Sequence, residues 1–446
     1  MFLRSWILAI IVAATSASAA DQVAGASAPA PTAADQVLDF NATVKMAIER
    51  SPSLSTARSD LEIRDLEYKN AYSVILPSLD LSTTAGYLDS RPKLTDHLWS
   101  SEFNLALTEN LYDNGVSLTN LNSSKVRREI ADLNFRSERD QLLLDVATEY
   151  MRYSLAKTLY ETQRQQFDVV SRQYRSVESQ FQQGVRTRRD YLKFKTEVRR
   201  NEIDVERAHT AVESSRVELM RLLGFDQRQV TPFDFVPIEV NVAALEKVPS
   251  LAPDISGHYQ YRLAELEKHV LENDVQIVRR RDWPELSLTA GANYHRGDYL
   301  GVEIAPVQSD VTSWNALVSL KFNLWDWGIR RRNISIAEAK RTQAQNTLAI
   351  RLNTFSSDNS KLMLDLQQSS KNFAIARELL ELETKSFDFM NTDYRNGKVS
   401  YLDIVLGLRD LLNAQVQMNS TYFELRQQLL KYRFYEGRLY ESLFEK

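Results

Sequence analysis

Two hydrophobic periodicities alternate along the chain, and each occurs twice. In the first, Tyr160, Phe167, Tyr174 and Phe181 recur every seven residues, with Val170 and Val177 between them. Phe373, Leu380, Phe387 and Tyr394 recur likewise, with Ala376 and Met390 between. An apolar seam repeating every 3.5 residues packs a helix lengthwise against another helix. No Pro and no internal Gly interrupts either Gly115–Gly184 or Gly328–Gly397. The pattern predicts two helices of about 65 residues, each roughly 100 Å long at 1.5 Å per residue. Such helices cannot fold back into a globule. Shorter helical stretches are expected at about 40–72 and 188–223 around the first, and at about 258–281 and 401–437 around the second.

The second periodicity is strict alternation. Leu79, Leu81, Thr83, Ala85 and Tyr87 alternate with polar or small residues, as do Phe103, Leu105, Leu107 and, past Glu109, Leu111. Leu286, Leu288, Ala290, Ala292 and Tyr294 form a third set, and Trp314, Ala316, Val318, Leu320, Phe322 and Leu324 a fourth. Period 2 over about ten residues predicts strands that either span an outer membrane or form soluble hairpins with one buried face. Tyr112, Trp283, Trp325 and Trp327 fall where the strands would meet the helices, as an interfacial aromatic girdle would.

These patterns belong to a tandem repeat. Leu76-Pro77-Ser78-Leu79 is echoed by Trp283-Pro284-Glu285-Leu286, and Leu111-Tyr112-Asp113-Asn114-Gly115 by Leu324-Trp325-Asp326-Trp327-Gly328. Gly184-x-x-Thr187-x-x-Asp190 is echoed by Gly397-x-x-Ser400-x-x-Asp403. The last two pairs share an offset of 213 residues, so no net insertion separates them. Gly184 and Gly397 suit the left-handed position that ends a helix. Thr187 and Ser400 suit N-caps, with Asp190 and Asp403 where an acid completes a capping box. The expected organisation is repeat 1 over 38–224, a Pro-containing linker over 225–256, repeat 2 over 257–440 and a tail over 441–446. The β-hairpins are expected at about 77–112 and 284–325, with helical tips at 184–187 and 397–400.

Composition narrows the class. Residues 1–20 read as a signal peptide, with Arg4, an apolar core and Ala17-Ser18-Ala19 for cleavage, and 21–37 as a disordered leader. The mean hydropathy of −0.37 excludes a polytopic helical membrane protein. The formal net charge of −4 gives no footing for nucleic acid. The chain has no cysteine, which removes disulfides, thiolate metal sites and an N-terminal lipid. Five histidines show no metal-ligand spacing, and no catalytic motif is present, so no enzyme, cofactor or metal is expected. The basic triplets 279–281 and 330–332 flank tryptophans and suit phospholipid headgroups.

Four strands are too few for a membrane barrel, whose smallest ordinary form has about eight. Several chains would have to pool them. At this point the sequence resembles the TolC family of outer membrane efflux and secretion channels. The resemblance is carried by Leu38-Asp39-Phe40…Ser51-Pro52-Ser53-Leu54, the Leu-Pro-Ser-Leu and Leu-Tyr-Asp-x-Gly ends of the first hairpin, and the two Gly-x-x-Ser/Thr-x-x-Asp tips. It covers about 38–440. It implies a mainly α fold with membrane β: a homotrimer whose twelve-stranded β-barrel, four strands per chain, sits in outer membrane lipid. A long α-helical barrel would continue it into the periplasm of a Gram-negative cell.

The resemblance also implies roles. Gly184, Val185, Arg186 and Thr187, with Gly397, Lys398, Val399 and Ser400, would meet a periplasmic adaptor (membrane fusion) protein. Asp403 would ring a closed entrance, with Leu406 and Asp190 beside it, or would act only as a capping acid. Leu406 stands where some members carry a second acid, and Val399 where some carry a latching arginine. The duct would serve an inner membrane transporter of RND, MFS or ABC type, in drug or metal efflux or in type I secretion. A periplasmic coiled-coil scaffold without a channel is the competing expectation.

Overall fold

The computed structural model describes residues 37–88, 98–225, 234–241, 249, 253, 257–299, 307–308, 311–396, 398–399 and 401–444. The expected signal peptide and nearly all of the leader lie outside these residues, as do Gly397 and Ser400 of the second tip.

A two-residue strand β1 (Val37–Leu38) opens the described chain, followed by α1 (Phe40–Arg50) and α2 (Pro52–Ser73). The Asp39 carboxylate accepts the Ala42 N–H at 2.7 Å and caps α1. Where the apolar pattern suggests one helix over 40–72, the structure has two. Pro52 has no N–H to continue α1, but it suits the first position of α2.

The hairpin β2 (Ser78–Leu88) and β3 (Leu98–Tyr112) leads into α3 (Val116–Gln182), which turns into α4 (Arg188–Leu222). After β4 (Asp234–Phe235) the plan repeats: α5 (Tyr259–Arg280), β5 (Glu285–Tyr299), the short β6 (Val307–Gln308), β7 (Val311–Lys321), α6 (Ile329–Arg395) and α7 (Tyr401–Tyr435). Helix α8 (Leu439–Phe444) closes the chain. The duplication extends to element lengths: 22 residues for α2 and α5, 67 for α3 and α6, 35 for α4 and α7.

The four long strands form one antiparallel sheet in the order β2-β3-β5-β7. Its register separates two faces. Leu81, Leu105, Ala292 and Trp314 stand opposite one another on one face. Ser82, Asn104, Asn293 and Ser313 do so on the other. Nothing within the described chain covers the apolar face, and Trp314 is 83% exposed. An uncovered apolar sheet face does not persist in water.

The fourth alternating set reaches Leu324, but β7 stops at Lys321. Its partner β5 starts only at Glu285, after Pro284, so Phe322 and Leu324 have no strand to pair with in this chain. By contrast, β3 continues to Tyr112 because β5 accompanies it past a bulge as far as Leu286.

The core lies halfway along the molecule, not at the sheet. There Tyr150 and Tyr153 from the middle of α3 pack with Leu54, Leu219, Leu223 and Phe235. The Tyr150 hydroxyl donates toward the carbonyls of Leu38 and Val236, at 3.1 and 2.6 Å. It thereby pins β1 and β4, which pair in parallel, onto α3. The described part of the expected linker, 234–241, is therefore docked on the helices. Ile238 N–H donates to Ser154 Oγ at 3.0 Å.

Candidate functional site

Function-bearing residues gather at the two ends of the helices. At the sheet end, each β-strand passes to its long helix through two successive left-handed residues. These are Asn114 and Gly115 (φ 56° and 76°) in repeat 1, and Trp327 and Gly328 (φ 57° and 79°) in repeat 2. An aspartate organises each turn. Asp113 accepts from the N–H groups of Gly115 and Ser117, and Asp326 from those of Gly328 and Arg330. The Arg330 N–H foremost, with the Gly328 N–H and the guanidinium of Arg330, outweighs desolvation and holds the Asp326 carboxyl below the usual range.

The sequence assigns the arginine triplets to lipid headgroups. Three of the six arginines are instead tied to protein groups. Arg280 donates to Gly115 O and Thr119 Oγ1, Arg279 to Glu338, and Arg330 to Asp326. Arg281, Arg331 and Arg332 remain exposed. Tyr112, Trp283, Trp325 and Trp327 are all exposed at this same end of the sheet, with Trp327 the most open at 80%.

At the far end, α3 turns into α4 over 183–187. Gly184 is left-handed (φ 75°), and the N–H groups of Val185 and Arg186 both reach back to Gln180 O. Thr187 Oγ1 accepts the Asp190 N–H at 3.2 Å, the N-cap bond its position predicts. Arg186 donates to Gln180 Oε1 at 3.0 Å, leaving Val185, Arg188 and Arg189 outermost. Phe181 stacks on Tyr191 at 4.9 Å, and Tyr191 lies 5.8 Å from Tyr174, stiffening this first tip.

In the second tip, the Lys398 N–H donates to Asp393 O at 2.9 Å, and its ammonium lies 3.4 Å from the Asp393 carboxylate. Val399 is half-buried. Asp403 stands in the first turn of α7 and Leu406 one turn further, 38% exposed. Asp410 follows one more turn along, also exposed. The three share one helix face (i, i+3, i+7) that is turned away from α6. The sequence reading missed Asp410, although its spacing from Asp403 was there to be read. Between α6 and α7 a groove of about 600 Å³ continues this face past Asp410, Asn413 and Gln417.

Gly407 sits on the opposite face and brings the two helices of this tip close. A Cβ there would lie 2.6 Å from Met390 Sδ. Its counterpart in repeat 1 is Phe194, facing Val177 where repeat 2 has Met390, so the large and small partners are exchanged. Among the described residues no cluster of His, Asp or Glu could hold a metal. No described helix is long and apolar enough to cross a membrane.

Residues 43–225 and 260–431 match the model of a family described as outer membrane efflux protein. Outer membrane protein OprJ of Pseudomonas aeruginosa is 24% identical over 355 residues, 74% of this chain and 71% of its own. The CmeC outer membrane channel of Campylobacter jejuni superposes with a TM-score of 0.78 at 16% identity, covering 90% of this chain and 86% of CmeC. The MtrE outer membrane channel of Neisseria gonorrhoeae gives 0.71 at 17% identity, covering 89% and 88%. The long helical hairpins on a four-stranded sheet are thus the fold of these channels.

Proposed function

The chain belongs to the outer membrane efflux protein family, and from that premise we propose that it forms, as a homotrimer, the exit duct of a tripartite efflux or type I secretion system. Its sheet sits in the outer membrane and its helices reach into the periplasm. An inner membrane transporter of RND, MFS or ABC type, working through a periplasmic adaptor, supplies the energy, and the duct conducts passively. One observation carries this reading: an apolar sheet face left bare by the chain, at one end of two 67-residue helices. Lipid covers such a face, and helices of that length carry the wall well beyond the membrane.

Gating belongs to the tips. Three copies of the face bearing Asp403, Leu406 and Asp410 around one axis make a narrow entrance that favours cations. The adaptor engages the outermost residues, Val185–Arg189 and Lys398–Val399, and splaying of the tips opens the duct. Single-channel recording in planar lipid bilayers tests this. The wild type is expected to give small, cation-selective conductance, and Asp403→Ala is expected to lower the selectivity. Absence of conductance from both proteins overturns the channel reading. Unchanged selectivity overturns the assignment of Asp403.

A further inference from the structure

Among the described residues, β2 pairs only with β3 and β7 only with β5, so both edges of the sheet are open. On the helical side the order is α2, α3, α5, α6, again with two unpartnered ends. The seam at the middle of the chain, where repeat 1 meets repeat 2, is fully visible: α3 against α5 and β3 against β5. Element starts in α3 and α6 differ by 213 residues, and those in α2 and α5 by 207. The two offsets convert each contact of the visible seam into one between repeat 2 and the repeat 1 of a second copy.

The converted contacts are chemically coherent. Arg127 and Asp274, 3.5 Å apart across α3 and α5, become Lys340 and the neighbouring copy's Glu67, again a cation opposite a carboxylate. Arg280, which donates to Thr119, becomes Ser73 opposite Arg332: one guanidinium and one hydroxyl, exchanged between sides. The exchange is already prepared in this chain. The Arg280 guanidinium fills the space beside Gly115, and Arg332, from its own helix, fills the same space beside Gly328.

The strands agree as well. Leu107↔Ala290 becomes Leu320↔Thr83, and Leu105↔Ala292 becomes Val318↔Ala85. All four converted residues lie on the apolar face, although two different offsets produced the pairs and a one-residue error would have put partners on opposite faces. The same register sets Phe322 opposite Leu81, giving it the strand partner it lacks in its own chain.

We propose that repeat 2 of one copy docks on repeat 1 of the next in the register of the internal seam, with Leu320 opposite Thr83 and Lys340 paired to Glu67. This rests on the reading of the chain as an oligomeric duct and specifies which surfaces meet. The new seam is the more polar one. The buried apolar contact of Leu133 with Tyr259 and Leu263 converts to Asn346 with Pro52 and Thr56. The subunit boundary is therefore held chiefly by the sheet and by the polar pairs nearest to it.

The absence of native cysteine makes the test direct. Directly opposed antiparallel residues bring Cα atoms to about 4.5–5.5 Å, within disulfide reach, whereas a two-residue slip does not. The full chain carrying Leu320→Cys and Thr83→Cys is oxidised in membranes and run without reductant. Leu320→Cys with Leu81→Cys, and Leu320→Cys with Ala85→Cys, are the register controls. Leu107→Cys with Ala290→Cys confirms oxidation within one chain.

The expected result is a shift to the mass of two and three chains for Leu320/Thr83 alone. Linkage through a control pair instead overturns the register. An oligomer by light scattering with no linkage in any pair overturns the seam while leaving the duct. A monomer throughout overturns both. Lys340→Glu is expected to lower the temperature at which the oligomer dissociates in detergent, and adding Glu67→Lys to restore it. No restoration overturns the ion pair.

Discussion

At residue scale, Trp327 holds a conformation that its type disfavours. A bulky side chain in the left-handed region costs about 1–2 kcal/mol. The equivalent turn in repeat 1 uses Asn114, a residue at ease there. Against that cost, Trp327 gains an edge-on contact with Trp325 at 5.8 Å, worth about 1 kcal/mol. These nearly cancel, so the strain is retained for what the exposed indole meets outside the chain. Trp327→Asn is expected to leave the denaturant midpoint in detergent nearly unchanged while lowering insertion into lipid vesicles. A large loss in detergent would contradict the interfacial role. His258 offers a second case. It caps α5, with Nδ1 accepting the Gln260 N–H, and stacks near Phe355 and Tyr435. Burial lowers its pKa to about 4 from 6.5. The folded state thus favours neutral imidazole, and the unfolded chain binds the extra proton between those values. The contribution is complete above about pH 6.5 and is lost as pH falls toward 4, by at most about 3 kcal/mol. His258→Asn keeps a capping acceptor. Subtracting its stability–pH curve from the wild-type curve should isolate that slope.

At element scale, the alternating and heptad patterns identified the strands and long helices because each element buries a single stripe along its whole length. Where an element's limit depends on a partner, the pattern overshoots. The alternation of β7 continues to Leu324 although the ladder within the chain ends at Lys321. The tips show the same limit. Gly184, Thr187 and Asp190 were readable as a turn and cap because capping is local chemistry. The close approach at Gly407 was not, since it depends on Met390 of another helix. Gly407→Leu forces overpacking worth about 1–3 kcal/mol and should push α6 and α7 apart at the tip. If the tips gate the duct, the open probability in planar bilayers rises, and Met390→Ala added to Gly407→Leu brings it back. Unaltered gating in Gly407→Leu would separate this contact from the gate.

At the scale of the whole molecule, the bare apolar sheet and the open strand edges cannot remain as the single chain leaves them. Membranes containing the protein should retain it through high-salt washing and release it only to detergent, as a heat-sensitive oligomer. Release by salt alone would favour the scaffold that the helices by themselves also allow. By itself the amino-acid sequence determined the duplication, the helix lengths, the two faces of each strand and the caps at the first tip. Those follow from periodicity and local hydrogen bonding, which neighbours along the chain suffice to express. Only the tertiary structure decided that the arginines of the triplets largely serve turns, that Asp410 shares the Asp403 face, and that Tyr150 ties the linker to the middle of α3. Those arrangements depend on groups more than 80 residues apart or on which side of a helix is already occupied, and no periodicity carries that information.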